Sequence, residues 1–91
     1  MRIPEQAKTK IIRLIAEGEC LNPYDLEGFY RWMQASYEAL EPDPLQQKRF
    51  DEYCRSSYDS ISMRLYKGVW MLKQALCEDA ADKYKPMGAP A

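Results

Sequence analysis

The stretch DSISMRLYKGVWMLKQALCEDAA, residues 59–81, decides the fold. At helical spacing Ile61, Leu65, Val69, Leu72 and Leu76 fall on one stripe, the pattern of a helix that faces a core. At about 100° per residue, Met63, Tyr66, Trp70 and Cys77 form a second apolar strip further around the girth. Arg64, Lys67, Gln74 and Glu78 remain as a wedge for water, with Met71 among them. A helix apolar over so much of its surface is a central helix that others pack around. Gly68 stands at the edge of the main stripe, where glycine costs about 1 kcal/mol against alanine. Its placement predicts a close crossing by the first or second helix.

The segments before this helix read as three more. Pro4 and Glu5 suit a first helical turn, Ala7, Ile11, Leu14 and Ile15 make a buried stripe, and Gly18 is a left-handed stop. Lys8, Lys10 and Arg13 lie on the wetter side of that helix. Asn22-Pro23 then reads as an N-cap with proline at N1, opening a helix whose stripe is Leu26, Phe29, Tyr30, Met33, Tyr37 and Leu40. Glu27 and Arg31 are spaced as an outer ion pair. Pro42 disfavours the helical conformation at Glu41 and ends the segment. Asp43-Pro44 repeats the capping device, and Leu45, Phe50, Tyr53 and Cys54 point inward from the third helix, with Asp51 and Arg55 paired outside. Asp59 or Ser60 caps the last helix.

The expected helices cover about 4–17, 23–40, 44–57 and 60–81. No stretch alternates with period two, so no strand is expected. Short connections imply a compact all-α four-helix bundle with a mostly apolar C-terminal central helix. Ninety-one residues make one domain, about 1–82, and the tail from residue 83, with its two prolines and no periodicity, reads as flexible.

Charge narrows the function classes. Thirteen basic residues against fourteen acidic leave a net charge of −1 with the signs interspersed, so no global field steers nucleic acid or anionic lipid. The apolar run at 11–16 is short and broken by Arg13, which does not make a signal peptide, and no segment is apolar for long enough to span a membrane. Three isolated cysteines, Cys20, Cys54 and Cys77, fit a reducing compartment, and the chain reads as cytoplasmic. Cys54 and Cys77 lie on apolar strips and are expected to be buried.

Histidine is absent, which removes the commonest general base and most metal sites. A zinc site would need all three thiolates and a carboxylate, so neither metal nor cofactor is expected. The glycines are too scattered to cradle a phosphate. Lys48, Arg49, Asp51, Glu52, Tyr53 and Arg55 on the third helix read as a solvated face, and no catalysis is expected.

Two binding patterns remain. Gln46, Gln47, Lys48 and Arg49 stand in the first turn of the third helix, where glutamine and arginine reach base edges in a recognition helix. Asp43, Asp51 and Glu52 flank them and disfavour phosphate, so nucleic-acid regulation is the alternative. The aromatics carry the main expectation. Seven tyrosines, two tryptophans and two phenylalanines exceed what the inner stripes hold. Trp32, Met63, Tyr66 and Trp70 are the expected apolar patch, because Trp, Tyr and Met are enriched in interfaces. The chain thus reads as a small non-catalytic protein–protein interaction module, an adaptor, inhibitor or self-associating regulator. Its partner is another protein or a second copy in a homodimer.

Overall fold

The computed structural model describes residues 3–55 and 58–83, with side-chain surroundings up to residue 77. Within that span the chain forms a four-helix bundle: α1 (Glu5–Cys20), α2 (Leu26–Ala39), α3 (Pro44–Cys54) and α4 (Ile61–Lys83). α4 and α2 each touch all three other helices, whereas α1 and α3 do not meet. The expected central role of α4 therefore holds, and α2 shares it. The expectation of a flexible tail falls outside the described residues, except that Lys83 still belongs to α4.

Two helix starts follow from their caps. The Asp43 carboxylate accepts from the Gln46 backbone N–H at 3.4 Å with Pro44 behind it, and α3 begins there. Ser60 Oγ accepts from the Met63 N–H at 3.1 Å, while the Ser60 carbonyl accepts from Arg64 N–H at 2.9 Å. Asp59 instead reaches Lys67 at 2.6 Å. The outer pairs Glu27–Arg31, at 2.8 Å, and Asp51–Arg55, at 2.7 Å, stand where their spacing put them.

Asn22-Pro23 does not open a helix. The Asn22 side chain accepts from Tyr24 N–H at 2.9 Å and its carbonyl from Asp25 N–H at 3.0 Å, a self-contained turn. Asp25 is the true cap, accepting from Gly28 N–H at 2.9 Å.

The core is organised around Trp32, and here the sequence expectation is corrected. Trp32 is no surface ring: it is only 5% exposed, and its indole N–H donates to the Leu14 carbonyl of α1 at 2.7 Å. Two glycines make room for it. A Cβ on Gly18 would lie 2.6 Å from Trp32 Cζ2 and 2.6 Å from Val69 Cγ2. One on Gly68 would lie 2.8 Å from both Cη2 and Cζ3 of the same ring. Real Cβ atoms do not approach that closely, so the indole occupies space that any other residue at 18 or 68 would fill. Gly18 is four residues beyond Leu14, so its bare backbone also lets the indole reach a carbonyl that α1 already uses internally. Gly18 thus does not stop α1, which continues to Cys20. Gly68 does mark the predicted close crossing, and α2 makes it.

Helix phases follow from that contact. α2 buries Phe29, Trp32, Ser36 and Ala39, with Leu40 just beyond its end, while Leu26 and Tyr30 are exposed and Met33 and Tyr37 half-buried. α3 buries Gln46, Phe50 and Cys54 at four-residue steps, leaving Leu45 and Tyr53 exposed. On α4 the main stripe is as expected: Leu65, Val69 and Leu72 are buried, Ile61 and Leu76 half-buried. Its charged wedge, however, faces protein. Met71 is buried and Arg64, Lys67 and Gln74 are half-buried; Glu78 lies beyond the described side chains. Arg64 Nε donates to the Cys54 carbonyl at 2.9 Å, satisfying the end of α3, and its guanidinium lies over the Phe29 and Tyr30 rings.

Candidate interaction surface

α4 turns its second apolar strip to solvent. The Ser60 cap fixes where the helix starts and the Gly68–Trp32 contact fixes its rotation. Met63, Tyr66 and Trp70 consequently point outward, 45%, 69% and 44% exposed. Cys77 continues the same strip and is exposed too, against the expectation that it is buried. α1, α2 and α3 already cover the rest of the helix, so the strip stays outside along its length, Cys77 included.

Trp70 is a ridge between two grooves. One, of about 360 Å³, runs between the end of α1 and α4, where Gly18, Leu21, Pro23, Tyr66, Val69 and Trp70 contribute to its lining. The other, of about 430 Å³, lies between α3 and α4, lined by Arg49, Glu52, Tyr53, Trp70 and Met71. Pro23 and Ser62 carry the first groove on to a third hollow beside Leu26, Tyr24 and Ile61. The first groove and this hollow together form a trough along α4 with Trp70 at one end.

Tyr53 belongs to this surface, although sequence reading turned it inward. Its ring centroid is 6.0 Å from that of Trp70, and Lys67 Nζ stands 4.8 Å above it. Lys67 and Trp70 are three residues apart on α4, which is the spacing that brackets one ring from a neighbouring helix. The hydrogen bond to the Asp59 carboxylate holds the Lys67 ammonium above its ordinary range, so Lys67 is a fixed cation. Lys73 pairs with Glu19 across the first groove at 2.9 Å. Spacing alone does not reveal the exposure of Tyr53, because position 53 lies only about 20° around the helix from buried Gln46, at the edge of the 46, 50, 54 row.

Of the expected patch, Met63, Tyr66 and Trp70 stand together on α4, whereas Trp32 is inside the bundle. The alternative nucleic-acid set is split as well. Gln46 is 3% exposed, since it starts the buried row of α3. Gln47 Nε2 donates to the Tyr37 carbonyl at 3.0 Å and so ties α3 to α2. Lys48 and Arg49 are exposed, but neither glutamine is left to read a base edge.

The sulfurs offer no nucleophile inside. Cys54 is fully buried, and burial pushes its thiol up to about 12, with Lys67 and Arg64 acting weakly in the other direction. Cys20 and Cys77 are exposed free thiols. Among the described residues no group of histidine, cysteine or acidic side chains is placed to hold a metal ion. No helix among them is long and apolar enough to cross a membrane.

No protein-family model, curated protein or solved structure matches the chain.

Proposed function

We propose that the chain is a small protein–protein interaction module that works without catalysis, docking its partner on Met63, Tyr66 and Trp70 of α4 with Tyr53 beside them. One observation carries the reading: Trp70 is 44% exposed between two grooves, while the other tryptophan is sealed at 5%. An indole held half out of water by a rigid helix loses little entropy on binding and gains apolar contact on both faces. Charges of both signs, Glu19 and Lys73 on one flank and Arg49 and Glu52 on the other, rim it as polar residues rim interfaces. The partner is a second copy or another protein with an apolar ridge that enters either groove.

Absence of catalysis is supported by the lack of histidine in the chain and by a buried thiol held protonated. Three free cysteines suit a reducing compartment such as the cytoplasm.

Sedimentation of the wild type and of Trp70→Ala, with affinity purification of both from the source cells, tests the reading. A dimer or stoichiometric complex that forms with the wild type and weakens about 30-fold or more with folded Trp70→Ala is expected, the loss of a hot-spot side chain. A monomeric wild type whose companions are the same with and without Trp70 would sink it.

A further inference from the structure

A cleft of about 350 Å³ opens between α2 and α3 above Phe50, with Tyr30, Met33 and Tyr37 from α2, Asp51 and Arg55 from α3, and Arg64 from α4. It shares no residue with either groove beside Trp70. Its lining carries two guanidinium groups against one carboxylate, over a partly aromatic floor.

Arg64 is held firmly for so long a side chain. Its Nε donates to the Cys54 carbonyl at 2.9 Å, and its guanidinium carbon sits 5.3 Å from the Phe29 ring centroid and 5.9 Å from that of Tyr30. Those contacts use one N–H, that on Nε, and set two aromatic rings beside a group that has five N–H donors in a planar fork. Among the described residues no carboxylate stands within ion-pair distance of Arg64. Arg55 differs, since its Nε already meets Asp51 at 2.7 Å. A half-buried guanidinium, pre-positioned without a counter-ion in a concave cleft, is the arrangement that receives a carboxylate or phosphate in bidentate fashion.

We propose that this cleft binds a small organic anion, a carboxylate or phosphate monoester on an aryl or short apolar body. Arg64 anchors the anionic end through its terminal nitrogens and Arg55 supplies the second cation. Tyr30, Met33, Tyr37 and Phe50 take the apolar body. The volume lies at the lower end of the range for ligand clefts, about 300–1,000 Å³, which suits a single ring with its acidic group. The proposal stands apart from the docking ridge and does not rest on it.

The test titrates the isotope-labelled full chain with phenyl phosphate, benzoate and inorganic phosphate at constant ionic strength, following amide and arginine Nε–H resonances. Saturable shifts centred on Arg64, Arg55, Tyr30 and Tyr37 are expected, with a Kd for phenyl phosphate or benzoate of about 1 mM or lower. Whichever binds more tightly identifies the phosphate or the carboxylate as the natural anion. Arg64→Lys keeps the charge but loses the fork, and should weaken binding about tenfold. If that variant does not fold, exposed Arg55→Gln carries the test, with an expected loss of about threefold or more at an unchanged melting temperature. Linear shifts up to about 20 mM, saturation centred elsewhere, or undiminished affinity in Arg55→Gln would overturn the proposal. Equal affinity for inorganic phosphate would remove the apolar body and overturn it in this form.

Discussion

Gly18→Ala puts the organisation of the core to a quantitative test. On helix propensity alone the change stabilises α1 by about 0.8–1 kcal/mol. Packing opposes it, since the new methyl would stand 2.6 Å from Trp32 Cζ2, 2.6 Å from Val69 Cγ2 and 2.9 Å from Trp32 Cε2. Carbon atoms prefer about 3.5–4.0 Å, so roughly 1 Å of overlap must be relieved on two helices together. The indole cannot simply retreat, because its N–H is bonded to Leu14 at 2.7 Å and its far edge already lies against Gly68. Overpacking of this kind costs about 1–3 kcal/mol, and displacing the indole would forfeit about 0.5–1.5 kcal/mol of hydrogen bond besides. The balance is a net destabilisation of about 1–3 kcal/mol. For a domain of this size that lowers the melting temperature by about 4–8 °C per kcal/mol. Thermal melts by circular dichroism measure it, and repeating the change on a Trp32→Phe background isolates the cause. The smaller ring should recover at least about 1 kcal/mol of the penalty as a coupling energy. A Gly18→Ala protein as stable as the wild type would show that propensity wins and that the indole does not need the gap.

The two tryptophans should separate in the same assay. Trp32→Ala should cost about 3–5 kcal/mol and leave little folded protein, whereas Trp70→Ala should cost about 1 kcal/mol or less in a thermal melt of the monomer. Thiol labelling of the native protein should be fast at Cys20 and Cys77 and slow at Cys54, with mass spectrometry of the digest as the readout. The Cys54 thiol also sets a pH trend. Folded, it stays protonated to about 12, while unfolded it ionises near its ordinary value of 9.0, so its contribution is complete below pH 9 and falls as pH rises from 9 towards 12. Wild-type stability between pH 9 and 10.5 should therefore drop more steeply than that of Cys54→Val, by up to about 1.4 kcal/mol per pH unit. Asp43→Ala should cost about 1 kcal/mol through loss of the cap on α3, checked by urea denaturation.

Helix number, most helix starts and the main stripe of α4 were legible in the sequence because they depend on local chemistry. Asp43-Pro44 and Ser60 act within one turn, and Leu65, Val69 and Leu72 are apolar at the right spacing. Helix phase was less legible, for a physical reason. α2 buries Ser36 and Ala39, small side chains that a hydrophobic stripe passes over in favour of Leu26, Tyr30 and Met33. α3 likewise buries Gln46 while exposing Leu45, because the row through Phe50 and Cys54 sets its rotation. On the sequence pattern alone Trp32 points outward as the ring left over from that stripe, and Gly18 reads as a stop. Each error hides the other: only with both placed in the core does the glycine's missing side chain explain the tryptophan's position.

That same contact prepares the candidate surface. Three consecutive residues of α4 have three separate tasks: Gly68 admits the Trp32 ring, Val69 packs where Gly18 leaves space, and Trp70 is turned out between the two grooves. At about 100° per residue these directions cannot vary independently. The buried indole therefore fixes the exposed one, and any change that lets α4 rotate over Trp32 should also misplace the Trp70 ridge. The orientation of Trp70 is then a readout of the core: its ring should lose contact with Tyr53, now 6.0 Å away, in Gly68→Ala even if that protein stays folded. Aromatic nuclear Overhauser contacts between Tyr53 and Trp70 measure this directly. Their persistence in a folded Gly68→Ala protein would mean that the ridge is held by α3 alone and that the core does not position it.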